Sequence, residues 1–153
     1  MPNTFEVRHA EARDYQQWLP LWLGYNAFYG RSGNTALLDE ITQSTWSRIL
    51  APAELVHALV AERDRKIIGI THYLFHLSTT MLGQTCYLQD LFTVERARGQ
   101  GIGRALISRV YEEAERAGAE RVYWHTHESN LTAQSLYNKV ADRPGFIMYR
   151  KNL

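Results

Sequence analysis

Two periods of apolar residues alternate along the chain. Short runs with a two-residue or continuous apolar pattern mark strands, and longer stretches with a three-to-four-residue pattern mark helices. "FEVRHA" (Phe5 to Ala10) predicts a first strand. Trp18, Trp22, Tyr25 and Tyr29 then recur at spacings of four, three and four, which places them on one face of a helix. "GRSGN" breaks that helix, and Leu37, Ile41, Thr45 and Ile49 predict a second one ending before Pro52. "LVHALVAER" and "KIIGITHYLFHL" flank a charged turn at Asp64 and Arg65, the pattern of a hairpin. "TCYLQDLFTV" (Thr85 to Val94) predicts a third long strand. From Ile102, apolar residues at Leu106, Val110, Ala114 and Ala117 predict an amphipathic helix stopped by Gly118. "RVYWHT" reads as a strand, Asn130 to Val140 as a helix, and "GFIMYRK" after the Pro144-Gly145 turn as a last strand. The order predicts a mixed α/β fold with an antiparallel beginning and a β-α-β-α-β end.

The 153 residues fit one domain, taken as 1–153, and suffice for a sizeable core. Seventeen Lys and Arg against sixteen Asp and Glu leave a net charge of +1, so no global field favours nucleic acid or an anionic membrane. No apolar run approaches the roughly 20 residues that span a bilayer. The first residues, "MPNTFEVRHA", lack the basic and apolar regions of a secretory signal, and Cys86 has no cysteine partner. A reducing, cytoplasmic setting is expected.

Any anion site must therefore be local, and "RARGQGIGRAL" (Arg96 to Leu106) is where one is expected. A glycine-rich loop between a strand and a helix start offers unpaired amides, the positive end of the helix dipole and close approach to backbone. Arg96, Arg98, Arg104 and Arg109 flank it, and no Asp or Glu falls between Arg96 and Tyr111. A solvated surface turn is the competing reading. The spacing of Gly99, Gly101 and Gly103 is not the dinucleotide G-x-G-x-x-G, and too little chain follows for a second nucleotide-binding half. Gly103 is followed by Arg104 and Ala105, not by the Lys and Ser or Thr of a P-loop.

Arg98, Gly101 and Gly103 match the acetyl-coenzyme A loop of the GNAT superfamily of N-acetyltransferases: Gln or Arg, two residues, Gly, one residue, Gly or Ala. The resemblance extends to "YLQDLFTV" before the loop and "ESNLTAQSLYNKV" after it, where Asn130, Ala133 and Tyr137 stand at the family's spacing. The stretch from Tyr87 to Arg150 is most similar to the branch acetylating polyamines, amino acids and histone tails. The resemblance implies a twisted, mostly antiparallel sheet of six to seven strands with one splayed parallel pair and helices on both faces. It implies acetyl-CoA as cosubstrate and no metal. Phe92, Thr93 and Val94 would pair with the pantetheine arm, and Arg98, Gly99, Gln100, Gly101, Ile102, Gly103 and Arg104 would hold the pyrophosphate. Asn130 would touch the pantetheine, cap the following helix, or both. The branch often forms dimers, so a homodimer is expected.

Acetyl transfer to nitrogen needs a neutral amine and an acid for the departing sulfur. The resemblance makes Tyr137 that acid, with a core tyrosine as the alternative. Where a glutamate base commonly sits in the polyamine branch, this chain has Gln89, which cannot take a proton. Asp90 and Glu128 remain candidate bases, each with a purely structural alternative, and an amine arriving neutral is a further one. His125 and His127 share a strand face but lack a third metal ligand, and Cys86 has no activating neighbour in sequence. The aromatic stripe reads as core packing more readily than as an amine pocket. The expected activity is acetyl transfer to a primary amine of a small molecule such as a polyamine or amino acid. A protein-tail lysine acetyltransferase and a coenzyme A sensor without turnover are the alternatives.

Overall fold

The structure is a computed structural model describing residues 4–153. Met1 to Asn3, where the segment read as lacking a targeting signal begins, lie outside the described residues. The elements run β1 (Glu6–His9), α1 (Tyr15–Phe28), α2 (Asp39–Leu50), β2 (Val56–Arg63), β3 (Lys66–His76), β4 (Thr85–Thr93), α3 (Ile102–Arg116), β5 (Arg121–Tyr123) and α4 (Leu131–Val140). The strands form one sheet in sequence order, antiparallel from β1 to β4, with β5 parallel to β4. The predicted hairpin is β2–β3. Its turn residues Asp64 and Arg65 both have positive φ, 50° and 63°, the backbone pair whose twist matches that of the flanking strands. The predicted stop of α3 is also present: Gly118 has φ 77°, and Ala119 N donates to Ala114 O at 2.9 Å. No helix among the described residues is long and apolar enough to cross a membrane.

Each face of the sheet carries a separate apolar cluster. On one, Ile102, Leu106, Ile107, Val110 and Ala114 of α3 pack on Leu59, Ala61, Tyr73, Cys86 and Leu88. On the other, Trp18, Leu21 and Trp22 of α1 and Trp46 of α2 pack on Val60, Ile67 and Ile70. Gly69 lets α3 come close: a Cβ there would lie 2.7 Å from Ile102 Cγ2 and 3.1 Å from Leu106 Cδ1. The first turn of α3 therefore sits directly on β3, which fixes the height of the glycine loop above the sheet.

Two expectations need correction. Five strands are present among the described residues, not six to seven, and "GFIMYRK" forms none of them. Among the described residues no strand pairs with it, and Phe146 (92% accessible) and Tyr149 (88%) stand in solvent. "RVYWHT" is a strand only at Arg121–Tyr123. The pairing of β4 with β5 covers Thr85↔Arg121, Cys86↔Val122 and Tyr87↔Tyr123 and then stops, while β4 stays paired with β3 as far as Thr93. The two parallel strands thus part after Tyr87.

Candidate active site

Beyond Tyr87 the edge of β4 that would face β5 is open, and unpaired strand edges invite an extended ligand. Within the expected pantetheine stretch, Val94 N already donates to Ile68 O at 3.0 Å and Thr93 O accepts from Arg98 Nε at 3.1 Å. The Arg98 guanidinium also lies 5.6 Å from the centre of the Phe92 ring, so Arg98 braces the base of the loop. Gly99 and Gly101 have φ of 75° and 84°. The first bond of α3 runs from Ala105 N to Gly101 O, so the amides of Ile102, Gly103 and Arg104 open toward the helix start. This geometry fits a pyrophosphate. Arg96 and Arg104 are exposed beside it. Arg109 is not part of the cradle: it pairs with Glu113 at 2.8 Å and donates to Val7 O at 2.9 Å. Nothing lies within 4 Å of a Cβ built on Gly101. Gly101→Val is expected to place a strained side chain where phosphate would approach, weakening coenzyme A binding at least tenfold, about 1.4 kcal/mol. Isothermal titration on the folded variant checks this, and unchanged affinity would refute the cradle.

The acid–base candidates lie around the gap between β4 and β5. His72 stands opposite Asp90 in the β3–β4 ladder, but the next pair is Tyr73 with Leu88, so Gln89 is the extra residue of a β-bulge. The bulge reverses the facing of β4: Cys86 and Leu88 belong to the α3 cluster, whereas Phe92 packs with the α1 cluster and Asp90 meets His72. Gln89 is turned to solvent. Trp18 Nε1 donates to His72 Nε2 at 3.0 Å, and indole has only a donor to offer. His72 is therefore the neutral tautomer with its proton on Nδ1, which donates to Asp90 Oδ2 at 2.9 Å. A fixed chain from indole through imidazole to carboxylate orients Asp90, which is 8% accessible.

The aromatic stripe divides between two tasks. Trp18 and Trp22 are buried core, as expected, but Tyr25 and Tyr29 reach the site. Burial, and then the Asp90 carboxylate beside it, holds the Tyr25 phenol well above the ordinary tyrosine range. Tyr29 is raised by the same two causes, opposed by Arg31. Tyr137 on α4 packs against the Trp124 ring at 5.4 Å between centroids. Burial, with Tyr29 a further cause, pushes its pKa up to about 12, so Tyr137 holds its proton at neutral pH. Tyr29, at the end of α1, is thus within electrostatic reach of both Asp90 on β4 and Tyr137 on α4. Sequence reasoning missed His72 because it sits in an apolar strand and reads as core; its signal was a histidine in register with Asp90 across a predicted sheet.

The other candidates stand apart. The Glu128 carboxylate is exposed and joins none of the hydrogen bonds or ion pairs found among the described residues. Asn130 caps α4, its Oδ1 accepting from Ala133 N at 3.3 Å. His125 Nδ1 lies 3.4 Å from the Tyr87 hydroxyl, and His127 Nδ1 lies 2.6 Å from Ser129 Oγ, so the two rings are engaged separately. Among the described residues no three His, Cys, Asp or Glu side chains gather as a metal site. Cys86 is fully buried, and burial pushes its thiol from 9.0 up to about 12. A pKa raised by folding favours the protonated folded state. That contribution is present below pH 9 and is lost as pH rises toward 12. At pH 8 a disulfide reagent is expected to leave the native protein unlabelled and to modify one thiol per chain in guanidinium; rapid native labelling would revive Cys86 as a nucleophile.

The chain matches the Acetyltransferase (GNAT) family over residues 10–141. It is 36% identical over 148 residues to the D-amino-acid N-acetyltransferase of Saccharomyces cerevisiae, covering 95% of this chain and 89% of that protein. It is 31% identical over 103 residues to the thialysine N-epsilon-acetyltransferase of Mus musculus, covering 64% of this chain and 60% of the relative. Among solved structures, the aminoglycoside N-acetyltransferase AAC(6')-Iy in complex with CoA superposes with a TM-score of 0.81 at 17% identity, over 100% of this chain and 98% of that one. The protein belongs to the GNAT family: it is an acyl-CoA-dependent N-acetyltransferase that uses acetyl-CoA.

Proposed function

We propose that the protein transfers acetyl directly from acetyl-CoA to a primary amine of a small molecule, with Asp90 as base and Tyr137 as acid. The observation that carries this is the Asp90 carboxylate, oriented by His72 just beyond the point where β4 and β5 part, together with a Tyr137 phenol that keeps its proton on α4. Acetyl-CoA supplies an acyl group activated as a thioester. The open β4 edge would bind the pantetheine arm and the amides from Gly99 to Arg104 the pyrophosphate, with Asn130 beside the arm. Asp90 takes the proton of the incoming ammonium. The neutral nitrogen attacks the carbonyl, the new C–N bond forms as C–S breaks, Tyr137 gives its proton to the leaving sulfur, and the nitrogen's second proton and the one held by Asp90 pass to solvent. The phenol regains a proton from solvent. Products are the amide and coenzyme A. D-amino acids, thialysine and aminoglycosides, named for the relatives, all present an amine on a small molecule.

Following free thiol while acetyl-CoA is mixed with an amine panel tests this. Release with polyamines, amino acids or aminoglycosides is expected. Release only with basic peptides would favour a protein-tail enzyme, and binding without release a sensor. We infer a homodimer in a reducing, cytoplasmic setting, supported by the exposed apolar segment "GFIMYRK" and the unpaired Cys86.

A further inference from the structure

The end of α1 carries a cation without an acid. Asn26 is buried; its Nδ2 donates to Trp22 O at 2.8 Å, and its Oδ1 accepts from Arg31 Nε at 2.7 Å. That hook sets the guanidinium carbon 5.5 Å from the Tyr29 ring centre and 6.0 Å from that of Tyr25. The same two phenols lie within electrostatic reach of both Arg31 and Asp90, which act on them in opposite directions. Arg31 forms no ion pair among the described residues. The site therefore presents a carboxylate and a guanidinium that share the same two tyrosine neighbours. A guanidinium held by its Nε keeps its Nη atoms for the planar, two-pronged grip that matches a carboxylate.

We propose that Arg31 holds the carboxylate of an amino-acid acceptor whose amine is turned to Asp90. This rests on the assignment of Asp90 to the acceptor amine. A zwitterion meets an opposite charge for each of its ends, whereas a polyamine would bring its second ammonium against Arg31. Arg31 thus sets acceptor class while the chemistry stays with Asp90 and Tyr137.

The test compares amino acids of both hands with their matched α-amides, following thiol release from acetyl-CoA. An amide's ammonium is the more acidic, so its neutral amine is more abundant at a given pH, and unaided chemistry favours the amide. The parent enzyme is expected to prefer the acid by at least tenfold in kcat/KM. Arg31→Gln is expected to raise KM for acids at least tenfold, to move KM for amides less than threefold, and so to collapse the preference. The melting temperature and coenzyme A affinity of the variant establish that it is folded. Equal use of acids and amides by the parent, or equal effects of Arg31→Gln on both, overturns the role of Arg31 and leaves acetyl transfer standing. Absence of thiol release with every amine overturns the acetyl-transfer assignment with it.

Discussion

Tyr137→Phe is expected to lower kcat by 10²- to 10⁴-fold, the usual worth of a positioned general acid, while the fold survives. The substitution removes one oxygen. The ring still packs against Trp124, and the Tyr137 hydroxyl has no hydrogen-bond partner among the described residues whose loss would destabilise the helix. Coenzyme A affinity should therefore hold, and the melting temperature should change by no more than the equivalent of about 1 kcal/mol. The pKa near 12 matters here: a phenol raised by burial is protonated throughout the neutral range, so the acid is always loaded. A tyrosine serving only as core would show the reverse, with stability altered and turnover nearly intact. Single-turnover mixing of variant and parent with acetyl-CoA and amine isolates the chemical step from product release. A chemical rate within threefold of the parent would remove Tyr137 from the mechanism.

Asp90→Asn is expected to reduce kcat/KM by a similar 10²- to 10⁴-fold, with Glu128→Gln, by contrast, near the parent value. Asparagine keeps the shape of aspartate, and its Oδ1 can still accept the His72 Nδ1 proton, so the chain from Trp18 remains connected. What it cannot do is take a proton from an amine. Glu128 has no connection to that chain and stands in solvent before α4. Steady-state kinetics of both variants on one acceptor decide between the two carboxylates. Equal losses, or a larger loss at Glu128, would transfer the base to Glu128, and a neutral Asp90→Asn would mean that the amine arrives without its proton.

The sequence made the strands and helices legible wherever a single period ran uninterrupted, as in α3 and the β2–β3 hairpin, and where glycine spacing reported directly on backbone shape, as at Gly101 and Gly118. The site was harder to read because its geometry arises between elements. Leu88, Gln89 and Asp90 look like continuous alternation, and nothing in those letters marks Gln89 as unpaired. Tyr25 and Tyr29 share a helical face with Trp18 and Trp22, but their phenols come within reach of Asp90 and Arg31, and only tertiary structure brings those two charges there. Arg109 illustrates the opposite error. An arginine inside an acid-free stretch contributes to the cradle only if no acid reaches it from the next turn, and Glu113 does. "GFIMYRK" has a strand's composition, yet a strand needs a neighbour, and composition does not supply one.

The bulge at Gln89 makes the placement of the Asp90 carboxylate, the proposed base, a matter of counting. On one side of it even-numbered residues face α3; on the other they face α1. Were Gln89 paired in the ladder instead of bulged out, regular alternation from Leu88 would turn Asp90 into the apolar layer beneath α3 and set Gln89 opposite His72. The residue with the least chemistry in the strand thus sets the frame in which its neighbours are read.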